Sequence, residues 1–107
     1  MRYSAPTGRG RGKFRSFADV ETAQVWEGRQ SRKLPPDIQA TALRKLMMLH
    51  RSRTLNDLRV PPANRLEPLK GKRLGQWSIR INRQWRVCFV WSEGDASNVE
   101  IVDYHDE

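Results

Sequence analysis

Cysteine, histidine and long apolar runs are scarce in this chain, and each scarcity closes off a class of protein. The 107 residues hold one cysteine, Cys88, and two histidines, His50 and His105. A single thiol cannot form an internal disulfide, which fits a reducing cytoplasm. Two histidines and one cysteine without ligand spacing argue against a zinc site, and no cofactor is expected. No apolar run approaches the length of about 20 residues that a membrane-spanning helix needs. The start lacks the apolar core of a secretory signal, so the expectation is a soluble cytoplasmic protein with no membrane association. Acids are scarce as well: 12 Asp and Glu stand against 20 Lys and Arg, a net charge of +8. Such an excess is typical of chains that meet polyanions, and nucleic acid or a ribonucleoprotein is the expected partner. Solubility alone is the ordinary alternative.

What the chain does have is a clear alternation between Gln76 and Trp91. Apolar residues alternate with others on both sides of a polar break at Asn82, Arg83 and Gln84. This is the period-two pattern of a β-hairpin with one buried face. With a three-residue loop, Ile81 stands opposite Trp85, Ile79 opposite Val87 and Trp77 opposite Phe89. The same register sets Arg80 opposite Arg86 on the other face. Like charges so placed are destabilising, by up to about 1 kcal/mol, and a sheet that keeps them is often holding them for an anion.

The rest of the chain reads as one small domain with helices first and strands last. Residues 1–13 carry four cations and no acid, and are expected to be a disordered basic tail. The domain proper is expected to span 14–107, with a short first strand from Phe14 to Phe17. Asp19 is placed to cap a helix from Val20 to about Gly28. A second helix runs from Pro36 to about His50, with Ile38, Ala42, Leu46 and Leu49 on one stripe and Leu43 and Met47 widening it. Arg59 to Leu69 reads as an extended connector and Lys70 to Gly75 as a basic, glycine-punctuated turn. Glu93 to Ser97 is another turn, and Asn98 to Tyr104 a last strand. The expected fold is α+β, β-α-α-β-β-β, with two helices packed on an antiparallel sheet.

An odd-numbered last turn pairs Val99 with Trp91, Ile101 with Phe89 and Tyr104 with Arg86; an even one moves Tyr104 to the other face. The candidate site is then Arg80, Arg86 and Tyr104, with His105 at the strand end and Asp103 closing the apolar face. Lys70, Lys72 and Arg73 lie near because their turn feeds the hairpin. Cations bind phosphate, and His and Tyr can move protons, His near neutral pH and Tyr when nearby cations lower its pKa. RNA carries its own nucleophile, the 2′-hydroxyl, so phosphodiester cleavage on such a face requires neither metal nor protein nucleophile. The ordinary readings stand beside this one: solvated sheet arginines, a capping Tyr104, a frayed His105. His50 reads as a helix-terminal or partly buried histidine, and Cys88 lacks a base partner.

From Asp57 onward the chain resembles HigB-type toxins of the RelE/ParE superfamily, the toxic halves of bacterial toxin–antitoxin pairs. The resemblance rests on Asp57-Leu58-Arg59, Pro61 to Glu67, Leu69-Lys70-Gly71, Gly75 to Asn82, Gln84 to Phe89 and Val99 to His105. The segment up to Lys13 and the trailing Asp106-Glu107 depart from the pattern. The resemblance implies a RelE-like fold and a metal-independent mRNA endonuclease acting mostly on ribosome-bound message. It also implies a small helix-turn-helix, HigA-like antitoxin through which alone the toxin reaches operator DNA. On this sequence Arg80 and Arg86 would hold the scissile phosphate, and Lys70, Lys72 and Arg73 the RNA or ribosomal backbone. Tyr104 and His105, oriented by Asp103, would transfer protons. Two other functions stay open on the sequence: a ParE-like gyrase poison, and a non-catalytic RNA- or ribosome-binding module.

Overall fold

The computed structural model describes residues 3–4 and 14–104; the rest of the basic N-terminal segment and His105 lie outside the described residues. Six strands form one sheet in the order β1-β2-β6-β5-β4-β3. They are β1 (Tyr3–Ser4), β2 (Ser16–Phe17), β3 (Glu67–Pro68), β4 (Trp77–Arg80), β5 (Trp85–Ser92) and β6 (Asp95–Asp103). Two helices, α1 (Val20–Trp26) and α2 (Pro36–Arg51), pack on β5 and β6. The α+β fold expected from the sequence is the fold observed. Among the described residues, no helix is long and apolar enough to cross a membrane.

Local chemistry explains the helix ends. Asp19, in extended backbone, accepts a hydrogen bond from the Thr22 N–H at 3.0 Å and so caps α1. α2 starts at Pro36, whose fixed φ and missing N–H suit the first helical position. No side chain caps it. Instead Gln39 turns back on the loop before the helix, accepting from the Ser31 N–H and donating to the Ser31 and Leu34 carbonyls. The stripe Ile38, Ala42, Leu46 and Leu49 is buried as its spacing predicts, and Leu43 and Met47 pack at its margin.

The hairpin has the expected register. Trp77 pairs with Phe89, Ile79 with Val87 and Arg80 with Arg86. Ile79, Ile81, Val87 and Phe89 enter the core beneath the helices, and Trp77, Trp85 and Trp91 lie against its edge. Burying a side chain the size of Phe89 contributes about 1.5–3 kcal/mol, and this face supplies most such residues of the sheet.

The last strand departs from expectation by two residues. Ile101 pairs with Val87 and Val102 with Arg86, and the Tyr104 N–H donates to the Gln84 carbonyl. The cause is a two-residue turn, Glu93-Gly94, with φ of 51° and 83°. That mirror-image turn matches the twist of a tight hairpin. Alone it would have turned Val99 and Ile101 to the wrong face. A bulge between Cys88 and Val90, with Asn98 at φ 51°, adds one residue to β6 and restores the alternation.

Two further differences come from the short strands. β2 joins β6 in parallel, Phe17 against Val99, so the sheet is not wholly antiparallel. Because β2 is so short, side chains take up N–H groups along β6. Ser16 Oγ accepts from Asn98 and Thr22 Oγ1 from Ile101, at 3.0 and 2.9 Å. Leu55–Arg59 is a 3-10 turn, and the expected extended connector from Arg59 to Leu69 holds a second, Pro62–Asn64, followed by β3. Thr54 and Asp57 form a capping box at the first of them. Two backbone N–H donors, Thr54 and Arg53, hold the Asp57 carboxyl below its ordinary pKa.

Candidate active site

The face of the sheet turned away from the helices is built from the alternate residues of the same strands. One row runs Glu67, Ser78, Cys88, Glu100 from β3 to β6, and the next runs Arg80, Arg86, Val102. Arg86 is 9% exposed and is held from three sides. Its Nε donates to Ser78 Oγ at 2.7 Å, its Nη2 donates to the Arg65 carbonyl at 2.6 Å, and Nη2 lies 3.5 Å from Glu67 Oε2. The guanidinium carbon sits 5.9 Å from the centre of the Tyr104 ring, within cation–π range. Burial, aided by the charge of Arg80, pulls the Arg86 pKa below its ordinary value, while Glu67 opposes that shift. An arginine starts so far above neutrality that it remains a cation.

Arg80 differs in kind. It is half-buried and forms no side-chain hydrogen bond or ion pair with another described residue. Its donors are therefore uncommitted, beside a guanidinium whose donors are largely spent. An anion bridging the two would relieve their mutual repulsion.

Tyr104 also lines an open pocket of about 250 Å³ with Glu67, Pro68, Leu69 and Lys70. Lys70 is shared with a second, basic pocket of about 470 Å³ that adds Gly71, Lys72, Arg73 and Gln76. Lys70 and Lys72 are exposed and make no ion pair with another described residue. Arg73 is more committed: it donates to Gln76 Oε1 at 3.0 Å and to Glu100 Oε1 at 3.3 Å. The three cations named from the sequence thus share one concavity, with two of them free to meet phosphate.

Asp103 stands at the end of β6 opposite Trp85, on the other face of the strand, where it is exposed and accepts from Gln84 Nε2 at 3.1 Å. His105 lies outside the described residues. His50 packs its ring against Phe14 and Trp26 at 5.7 and 5.1 Å, an aromatic corner under the helices. Cys88 is fully buried in the first row. Among the described residues, no cluster of three or more His, Cys, Asp or Glu side chains could hold a metal ion.

Ser78 and Glu67 are members of the site that sequence reasoning missed. Ser78 was within reach, because it lies two residues before Arg80 on an alternating strand and so shares its face. Glu67 gave no such signal, since β3 is two residues long and has no period of its own.

Comparison with known proteins agrees with this architecture. The profile of a family described as "RelE-like toxin of type II toxin-antitoxin system HigB" matches residues 15–105. Toxin HigB-1 of Vibrio cholerae is 40% identical over 83 residues, covering 77% of this chain and 87% of that protein. An uncharacterized protein of Haemophilus influenzae is 39% identical over 67 residues, covering 63% of this chain and 66% of that protein. A protein named Endoribonuclease HigB, from Proteus vulgaris, is 46% identical over 41 residues, which cover 38% of this chain and 45% of that protein. The chain belongs to the HigB-like family, the RelE-like toxins of type II toxin–antitoxin systems.

Proposed function

We propose that the chain is an endoribonuclease that cuts mRNA on the ribosome and thereby stops translation. The observation that carries this reading is the pairing of an uncommitted Arg80 with an anchored Arg86 beneath Tyr104. The name of the Proteus vulgaris relative supports the reaction class. In the reaction, the 2′-hydroxyl loses its proton and its oxygen bonds to the adjacent phosphorus. The bond from phosphorus to the 5′-oxygen breaks, that oxygen takes a proton, and a cyclic phosphate remains. Arg80 and Arg86 neutralise charge on the non-bridging oxygens. Lys70, Lys72 and Arg73 hold the RNA or ribosomal backbone, contacts that fix register without reading sequence. Tyr104 and His105, with Asp103 beside them in the chain, serve the proton transfers. Residues 14–107 carry this activity, and the four cations of residues 1–13 add non-specific contacts to RNA.

A type II toxin has an antitoxin as its partner. We take that antitoxin to be HigA-like, a small helix-turn-helix protein through which the pair meets operator DNA in the cytoplasm.

The test is expression from a tight promoter with new 5′ ends mapped across cellular mRNA, beside a strain expressing Arg80→Ala. Fresh ends in translated regions that vanish in the variant are the expected result. Growth arrest with intact messages and DNA-damage signalling would point to gyrase instead. Ribosome binding without new ends would leave a binding module.

A further inference from the structure

We infer that the basic concavity at residues 70–76 is a nucleobase subsite, in which Gln76 reads the acceptor edge of a guanine near the cut. This deepens the endoribonuclease reading above and rests on it. The concavity holds about 470 Å³, within the range of small-ligand pockets. Through Lys70 it adjoins the pocket of Tyr104 and Glu67. Gln76 continues the run of β4, its carbonyl accepting from the Leu69 N–H at 2.8 Å. It precedes Ser78 by two residues and Arg80 by four, so it shares their face. That spacing sets it about 13 Å along the strand from Arg80, which suits a neighbouring nucleotide and not the scissile one.

Two features separate the Gln76 wall from a phosphate site. The first is Glu100, whose Oε1 accepts from both Nη1 and Nη2 of Arg73 at 3.3 Å. The pair is largely covered, at 27% and 29% exposed, so the carboxylate offsets the arginine charge and repels phosphate there. Lys70 and Lys72, both exposed, keep the backbone contacts. The second feature is the orientation of the Gln76 amide. Arg73 Nη1 donates to it at 3.0 Å, and an arginine has donors only, so the atom facing it is Oε1. Nε2 is left with two N–H donors and bonds to no other described residue. The Gln76 N–H donates to the Arg73 carbonyl at 2.9 Å, which fixes the backbone beneath the amide. A fixed donor is met by O6 or N7 of guanine, whereas adenine sets an amino donor in place of O6. Gln76 also keeps its own acceptor on Arg73, away from an adenine amino group. The subsite therefore favours guanine over adenine.

The experiment is single-turnover cleavage by the full chain on programmed ribosomes, with messages that differ only in the base at each position flanking the cut. At one of those positions wild type should cut the guanine message about 10-fold faster than the adenine message. Gln76→Glu puts an acceptor where the donors were. It should reverse the order in favour of adenine and cytosine, whose amino groups donate. Gln76→Met offers no hydrogen bond and should bring all four rates to within about twofold of one another. Thermal unfolding checks the fold of both variants, and either one alone suffices for the comparison. A uniform fall across the four bases would mark a site that only holds backbone, and would overturn the assignment. So would a wild type indifferent to the base at every flanking position, or an unchanged base order in a folded Gln76 variant. Wild type that leaves every message intact would instead overturn the ribonuclease reading, so the two failures are told apart.

Discussion

The two faces of the sheet are made by alternate residues of the same strands, yet they are stabilised by different physics. Towards the helices, Ile79, Val87, Phe89, Val99 and Ile101 are almost wholly buried among apolar neighbours. That stabilisation is non-directional and scales with area removed from water. Towards the other side, Ser78, Cys88 and Arg86 are as deeply buried, but Arg86 is there only because Ser78, the Arg65 carbonyl and Glu67 meet its guanidinium. Buried charge depends on each of its partners, whereas an apolar face tolerates the loss of detail. The arginine face can consequently hold fixed charge ready for a phosphate, and its tolerance for substitution is correspondingly narrow.

Breaking the apolar face gives the largest effect on stability. Phe89→Ala removes a fully buried ring and should cost about 3–5 kcal/mol, a large share of what a small domain has. Denaturant unfolding measures it. Cleavage by whatever fraction remains folded should be normal, because the ring faces away from the site. A stable Phe89→Ala protein would refute the placement of the core.

On the other face the two arginines separate stability from activity. Arg86→Met leaves the buried Ser78 hydroxyl and the Arg65 carbonyl without their donor, a loss of about 1–3 kcal/mol, and it removes the charge proposed to bind phosphate. Arg80→Ala should change stability by less than about 0.5 kcal/mol. It also removes a like-charge opposition, so a slight gain is within the expected range. Its effect falls on growth arrest, which should be lost. The comparison between the faces fails if both arginine variants unfold alike, or if Arg80→Ala remains fully toxic.

What could be read in the sequence follows the same division. The hairpin register was legible because Trp77, Ile79, Ile81, Val87 and Phe89 can share a buried face in one pairing only, and the three-residue break fixed it. The stripe of α2 was legible for the same reason. The register of β6 was not, because two local features cancel: an even turn at Glu93-Gly94 and the bulge at Asn98. Alternation records which face a residue takes, not how many residues lie between partners. Tyr104 was therefore placed on the correct face and two positions away from its true neighbour, Gln84. Glu67 and the parallel pairing of β2 were out of reach, since a strand of two residues has no period to read.

The helix side contains one exception that sharpens the comparison. Lys45, on α2, is 8% exposed, and its Nζ donates to Asn64 Oδ1 at 2.7 Å. Asn64, itself fully buried, donates to the Leu58 carbonyl at 3.1 Å, tying the 3-10 turns to the helix. Here a buried cation donates to a neutral amide, where Arg86 has a carboxylate beside it. Burial first, and Arg44 second, lower the Lys45 pKa below 10.5. Between that lowered value and the ordinary one, the unfolded chain binds more protons at this site than the folded chain does. Stability then rises with pH across that window. At neutral pH the burial penalty is fully present; above the ordinary lysine pKa it is gone. Denaturant unfolding of wild type against Lys45→Met from neutral pH upward should therefore show the difference moving in favour of wild type as pH rises. A difference that stays flat would mean that the ammonium is hydrated in the folded protein, and that the helix side holds no buried charge to compare with Arg86.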